Sequence, residues 1–354
     1  MKWGLPVGYN RVMTHKIISF LLAETSRAYR GKEAPATAPV KSAPHYFEKS
    51  VPAQFILGQE IIEINGKPVE FIVKAYHPDT ILVEASMEVE NIFDDSIFGL
   101  KEKLLDACLE LAKKRGAKDE PAEEYTAYQV SGYKGDPELM LKENDHRIAT
   151  LLKSERRELD ENEVEHTLSY QLKYAKDDLI IVDWDGAFVF DPDGEVGETI
   201  EMLQLANLQL LRYRILDEDL DERLQKASKL TQSEDTNKKW FSGTKEVAQA
   251  FKEMIKIRSQ SIAQFESMER SIKLIGDWYS ARLYELLTKK FRLDDWRGNI
   301  KDKLDSLEDI YIIISENLGV SKTNILELIQ IGAFFVLQIG WIILIVLEFI
   351  YYTK

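Results

Sequence analysis

The chain has 354 residues, of which 45% are hydrophobic and 30% are charged. This composition is typical of globular proteins and argues against a chain that is disordered throughout. The net charge of -14 argues against broad nucleic-acid binding, which requires a basic surface. The single cysteine, Cys108, excludes a disulfide framework within the chain.

The first fifty residues differ in charge from the rest. Residues 1–50 contain eight Lys or Arg and three Asp or Glu, so they are predicted to form a basic N-terminal extension. A transit peptide, a polybasic arm and an ordinary variable N-terminus are all compatible with this composition. The apolar run at residues 17–22 is too short for a secretory signal or a membrane span.

Residues 51–192 are predicted to form an α+β domain. Two apolar runs, 55–64 and 69–74, flank Asn65-Gly66, a dipeptide that suits the positive φ angles of a type I′ turn, so they indicate a β-hairpin. A second hairpin is predicted around Asp185-Gly186. The remaining predicted elements are a strand at 80–89, a helix ending at Gly116, a strand at 125–133, a helix at 139–152 and a strand at 167–174. This order favours a sheet with helices on one face.

Residues 193–323 contain no proline and are predicted to form a helical stalk, as a helical hairpin or coiled-coil-like bundle. Apolar residues recur there at spacings of three and four in three successive helices. The residues predicted to pack along the stalk are Leu203, Leu210, Phe251, Ile255, Ile262, Phe265, Leu304, Leu307, Tyr311 and Ile314. These stripes can pack within one chain or between chains.

Residues 324–354 are predicted to form one transmembrane helix that anchors the protein, after a short break at 319–323. About 24 helical residues rise roughly 36 Å, enough for a hydrocarbon core of about 30 Å. The predicted anchor residues are Ile331, Phe334, Phe335, Leu337, Trp341, Ile342, Ile343, Leu344, Leu347, Tyr351 and Tyr352. Only two residues follow Tyr352, so we expect the bulk of the chain on the cytoplasmic (or matrix) side. The alternative is a buried helix of a soluble core.

One motif points to chemistry. The apolar run 179–182 is followed by Asp183-Trp184-Asp185-Gly186, which resembles the first motif of haloacid-dehalogenase-like phosphotransferases. That resemblance implies a nucleophilic Asp183, an acid/base Asp185 and a Mg²⁺ ion. An Asp-Gly hairpin turn explains the same residues, and the downstream chain is helical where that family has further βα units. The five histidines are scattered rather than set at ligand spacings. We therefore predict no catalytic, cofactor-binding or metal-binding residue, and the cofactor is unknown.

The C-terminal half resembles the family required for meiotic nuclear division. Leu326-Glu327-Leu328-Ile329-Gln330-Ile331 stands where that family's closing signature enters the membrane, and residues 204–213 and 278–318 are similar to its helices. The resemblance implies an α/β domain, a helical region, one terminal spanning helix and a structural or assembly role at a membrane. The same order of parts also resembles the CorA-type magnesium channels.

These observations lead to one functional hypothesis with two alternatives. The hypothesis is a membrane-tethered scaffold or assembly protein without catalytic activity, which acts through self-association or partner binding. The expected partners are membrane lipid and either a further copy of the chain or another protein, with no nucleic acid. The alternatives are an oligomeric divalent-cation channel or sensor of CorA-like architecture and an Asp-dependent phosphohydrolase that uses Asp183.

Overall fold

The structure is a computed structural model that describes residues 12–26, 54–232 and 278–352, together with residues 252, 255–256, 259–263 and 265–266. The chain divides into two compact units. The first, Met1–Asp217 with Glu266–Gly298, contains a mixed sheet and helices, and the second, Glu218–Phe265 with Asn299–Lys354, is helical over its described residues. We call them the sheet unit and the helical unit.

Eight strands form the sheet, in the order β2-β3-β4-β1-β5-β8-β7-β6. The strands are β1 (Thr14–Thr25), β2 (Gln54–Ile64), β3 (Lys67–Tyr76), β4 (Thr80–Val89), β5 (Ala117–Ser131), β6 (Gln171–Leu172), β7 (Leu179–Val182) and β8 (Gly186–Phe190). Neighbouring strands are antiparallel except β5 and β8, which are parallel. The sheet is therefore mixed.

The centre of the sheet is β1, whose residues the sequence analysis placed in a basic extension. That placement is wrong for residues 14–25, because β1 pairs with β4 on one side and β5 on the other. Every residue from 17 to 23 is buried, which requires cover on both faces of the sheet. An apolar run of strand length is the pattern of a strand buried on both faces.

Both predicted hairpins are confirmed. Asn65 and Gly66 join β2 to β3 with φ angles of 51° and 76°, as a type I′ turn requires. Residues 183–185 join β7 to the antiparallel β8. The second hairpin places Asp183 at the end of a buried strand.

The described helices are α1 (Ser96–Lys114), α2 (Glu138–Glu143), α3 (Asp145–Leu152), α4 (Glu161–Leu168), α5 (Gly197–Gln232), α6 (Trp278–Lys290) and α7 (Leu293–Tyr352). The structure differs from the predicted elements here in three places. The helix predicted at 139–152 is broken at Asn144. The strand predicted at 167–174 is wrong over most of its length, because α4 runs to Leu168 and only Gln171–Leu172 form a strand there. The predicted break at 319–323 is also wrong, since α7 is continuous.

Helices cover both faces of the sheet, so the prediction of helices on one face is wrong. On one face α1 and α3 pack in the main apolar core with β1, β3, β4 and β5. On the other face the Arg212 guanidinium of α5 donates to the His77 carbonyl over 2.6 Å, and the Phe291 ring lies 5.9 Å from Tyr125 of β5. The sheet unit is thus a three-layer arrangement with the sheet in the middle.

The helical unit contains the end of α5, the helical residues 259–263 and α7 from residue 299. Lys303 of α7 pairs with Asp221 of α5 over 2.7 Å, and the Arg223 guanidinium donates to the Ser261 hydroxyl over 2.7 Å. Leu220 and Leu307 are fully buried. These contacts join the described helices of this unit within one chain.

Candidate functional site

Asp183 lies at the centre of a buried charge cluster in the sheet unit. Its side chain is 2% exposed, with the Lys290 ammonium 2.9 Å from Oδ1 and the Lys153 ammonium 3.6 Å from Oδ2. The Trp184 backbone N–H donates to Oδ1 over 2.7 Å. The Lys290 ammonium also lies 4.1 Å from the centre of the Tyr170 ring. One carboxylate thus joins the β7–β8 turn to the ends of α3 and α6.

A hydrogen bond and an aromatic contact also fix the backbone of this turn. The Tyr125 hydroxyl donates to the Asp183 carbonyl over 3.0 Å, and the Trp184 ring packs 5.7 Å from Phe291. A Cβ at Gly186 would lie 2.7 Å from the Thr126 carbonyl oxygen. Gly186 is therefore required by the close approach of β5 to β8, a constraint that the Asp-Gly dipeptide alone did not reveal.

This geometry supports the hairpin interpretation of the Asp-x-Asp-Gly motif. A nucleophilic aspartate must reach a phosphorus atom, whereas the Asp183 carboxylate is buried and neutralised by two ammonium groups. Burial lowers the pKa of Lys153, but its hydrogen bond to Glu163 and the charge of Asp183 outweigh burial, so the pKa ends above its usual value. The Lys153 ammonium therefore keeps its charge, as in a structural ion pair. Over the described part of the chain, no three His, Cys, Asp or Glu side chains are grouped as a metal site.

Asp185 belongs to a second polar cluster, which sequence reasoning missed because its members are far apart in the chain. The Lys101 ammonium of α1 donates to the Ser154 hydroxyl at the end of α3. Burial lowers the pKa of Lys101, and Asp185 and Glu124 partly offset that effect. A serine beside a lysine can form a nucleophile and base pair. Here the Lys101 side chain donates to the serine oxygen, so the contact holds the end of α3 against α1.

Among the described residues, a cleft in the sheet unit is a candidate ligand site. It has a volume of about 470 Å³ and lies between the strands and the start of α5. Thr14, Lys16, Ile18, Lys74, Glu84, Glu88, Gln129, Ser131, Gly194, Glu195, Val196, Gly197, Ile200 and Glu201 line it. Most of these side chains are polar or charged, and none was predicted as a site residue.

Hydrogen bonds hold the walls of the cleft. The Thr14 and Ser131 hydroxyls are 2.7 Å apart, and the Gln129 amide donates to the Gly194 carbonyl over 3.3 Å. Glu84 accepts from the Gln204 amide over 2.6 Å and lies 3.5 Å from the Lys74 ammonium. The polar groups are therefore in place before any ligand binds.

Residues 14–196 match the family described as "Uncharacterized protein MJ0711, N-terminal domain". The chain belongs to this family. It is also 31% identical to uncharacterized protein MJ0711 of Methanocaldococcus jannaschii over 267 residues, which are 75% of this chain and 80% of that protein. No solved structure matches the chain.

The match to the MJ0711 N-terminal domain begins at the first residue of β1 and ends just before α5. It includes Asp183 and Lys153, and it includes the cleft residues from Thr14 to Val196. Lys290 and the cleft residues of α5 lie beyond it. Both polar sites thus combine residues of the MJ0711 domain with residues of later helices.

The predicted stalk residues lie in different places. Leu203 and Leu210 are buried, but they belong to the part of α5 in the sheet unit, so their placement in a stalk is wrong. In the helical unit Leu307 is buried, Leu304, Ile262 and Phe265 are half-buried, and Ile255 is exposed. Phe251 and the side chains of Tyr311 and Ile314 lie outside the described residues.

The predicted anchor residues lie on the last part of α7. Within the described chain, α7 contains one stretch, Leu326–Tyr351, that is long and apolar enough to cross a membrane, with a mean hydropathy of 2.5. Exposure of the predicted anchor side chains from Ile331 to Tyr351 ranges from 54% to 80%, and the side chain of Tyr352 lies outside the described residues. Contiguous apolar exposure of this kind is unusual for a surface in water.

Proposed function

We propose that the protein is a membrane-tethered scaffold or assembly protein without catalytic activity, which acts through self-association or partner binding. The observation that carries this proposal is the exposed apolar stretch Leu326–Tyr351, of which no part is buried against the rest of the chain. A core helix of a soluble protein would bury such a stretch. Hydrocarbon is the solvent that suits it.

The order of parts supports an assembly role. A mixed-sheet domain, a helical region and a terminal apolar helix follow one another, as the resemblance to the family required for meiotic nuclear division implies. The Lys303–Asp221 pair and the buried Leu307 support a helical unit that packs as a bundle. We propose that this bundle presents its remaining apolar positions to a second copy or to a partner protein, with the bulk of the chain on the cytoplasmic side.

The two alternative functions stay predictions. A channel of CorA-like architecture requires several copies around a pore, and a phosphohydrolase requires an accessible Asp183. The ion pairs of Asp183 favour the scaffold over the phosphohydrolase. Unchanged phosphatase activity in Asp183→Asn would remove the latter.

The tether is tested by deleting residues 325–354 and fractionating the expressing cells. The full chain is expected to pellet with membranes and to resist carbonate extraction, and the truncated chain to move to the supernatant. A truncated chain that still resists extraction would refute the tether.

Self-association is tested by the mass of the full chain in detergent, corrected for bound detergent. A dimer or larger particle supports contacts between copies. A monomer would contradict self-association, and the scaffold would then act through binding of a partner protein.

A further inference from the structure

The cleft beside Lys16 has the volume of a small-molecule site and a lining that is mostly polar or charged. We propose that it binds a small zwitterionic molecule of the α-amino-acid class, with its carboxylate on Lys16 and its ammonium group on the neighbouring glutamates. This site is independent of the membrane tether, because all of its residues lie in the sheet unit.

The volume limits the ligand to a small molecule. Ligand pockets in proteins enclose roughly 300–1,000 Å³, and the cleft encloses about 470 Å³. A free amino acid fits within this volume with some water. The polar walls favour a charged ligand over an apolar one.

Lys16 supplies the anionic subsite. It projects from the central strand, is half-buried, and makes no ion pair with any residue that the structure describes. The register places Gln129 directly opposite Lys16 on β5, and the Thr14 and Ser131 hydroxyls lie two register pairs further along the same strands. A half-buried ammonium group has lost part of its hydration, and a bound anion compensates for that loss with charge-assisted hydrogen bonds.

The glutamates supply the cationic subsite. Glu88 lies directly opposite Lys16 on β4, and Glu201 of α5 closes the same cleft. Glu84 pairs with Lys74, and Glu88 and Glu195 line the same cleft as Lys16. An anion alone would be repelled by the carboxylates, and a cation alone would meet Lys16.

The spacing of the two charges selects the ligand. Side chains directly opposite on antiparallel strands have Cβ atoms about 4.5–5.5 Å apart, and Lys16 and Glu88 are such a pair. No ion pair joins these two residues in the described structure, and both of them line the cleft. A ligand whose opposite charges are separated by one carbon atom can contact both.

The test is isothermal titration calorimetry of the full chain in detergent. The probes are the proteinogenic L-amino acids, added first in pools and then singly, with acetate, inorganic phosphate and putrescine as ligands of one charge sign. At least one amino acid is expected to bind saturably, with acetate, phosphate and putrescine binding at least about tenfold more weakly because each satisfies only one subsite.

Two variants and a matched control locate the site. Lys16→Met and Glu88→Gln are each expected to raise the dissociation constant by about tenfold or more, since the first removes the ammonium that binds the ligand carboxylate and the second removes the negative charge that attracts the ligand ammonium. Lys142→Met, an exposed lysine of α2 outside the cleft, is expected to leave it unchanged. Thermal melting checks folding, and Glu88 is exposed, so its variant remains informative if Lys16→Met fails to fold.

Three results would overturn the proposal. The first is no saturable binding by any amino acid in the set. The second is phosphate or acetate binding as tightly as the best amino acid, which would indicate a plain anion site. The third is equal dissociation constants for Glu88→Gln, Lys142→Met and the unmodified chain.

Discussion

Asp183 joins three elements of the sheet unit through one side chain. It directly follows β7, and its two oxygens pair with lysines at the ends of α3 and α6. Local sequence showed a turn at this position and also suggested a nucleophile. The lysines that decide between these interpretations are 30 residues upstream and 107 residues downstream, as the numbering shows. No local pattern connects them.

Asp183→Asn is expected to destabilise the protein by about 3–5 kcal/mol, because breaking a buried ion pair leaves an unpaired buried charge. The charge left behind is Lys290, whose side chain is 5% exposed. The measurement is chemical denaturation in detergent, followed by tryptophan fluorescence. Asp119→Asn, whose side chain is 84% exposed, is the matched control and should stay close to wild type. Equal stability of the two variants would contradict the structural role.

Glu123 of β5 pairs with Arg214 of α5, and its contribution to the stability of the protein depends on pH. Burial raises the pKa of Glu123, and its pair with Arg214 lowers it only in part. The folded protein therefore holds a proton on this group at a pH where the unfolded chain has lost it. The contribution of Glu123 to stability consequently improves as the pH falls through its raised pKa and is least favourable above it.

Arg214→Met should lower the melting temperature most at about pH 8, and its deficit relative to wild type should shrink toward about pH 5. Loss of the guanidinium raises the pKa of Glu123 further, and the protonated acid no longer needs a cation. Melting curves across this range provide the measurement, with Arg292→Met, at an exposed ion pair, as the control. A deficit that is constant or grows as the pH falls would contradict this explanation.

At the scale of elements, the signals that predicted structure correctly were local. Asn65-Gly66 predicted the first hairpin because its two residues alone determine the turn. The central strand β1 was missed because its partners, β4 and β5, lie about 60 and 100 residues away in the chain. Its apolar run of strand length was the available signal. Helices on the second face were missed because the apolar spacing of α5 is the same whether the helix packs on a sheet or on other helices.

The hairpin turn offers a test with an internal control. Gly66→Ala is expected to cost about 1–2 kcal/mol, because an L-residue with a Cβ is strained at positive φ, and Gly66 has a φ of 76°. Gly99→Ala, within α1, should instead stabilise the protein by about 0.5–1 kcal/mol through helix propensity. A Cβ at either site meets open space, so steric clash does not separate the two. Thermal melting that moved both variants in the same direction would contradict the assigned backbone geometry.

At the scale of the whole molecule, the sequence predicted the order of sheet domain, helices and terminal apolar helix, because each part carries its own periodicity. The boundaries were less predictable. The sheet unit extends through α5 to Asp217 and includes Glu266–Gly298, so two separated parts of the chain build it. The cleft was not predictable either, since it combines side chains of β1, β3, β4 and β5 with the start of α5.

The central claim, that the end of α7 lies in hydrocarbon, is tested most directly by spin labels on the full chain in liposomes. Single cysteines replace Ile339, within Leu326–Tyr351, and Ile312, on the same helix outside it. The native Cys108 serves as the background, because it is fully buried and burial raises the pKa of its thiol, which slows labelling. The label at residue 339 should collide with dissolved oxygen far more often than with a water-soluble nickel chelate, and the label at residue 312 should show the reverse. A nickel chelate that reaches residue 339 as readily as residue 312 would contradict the membrane tether.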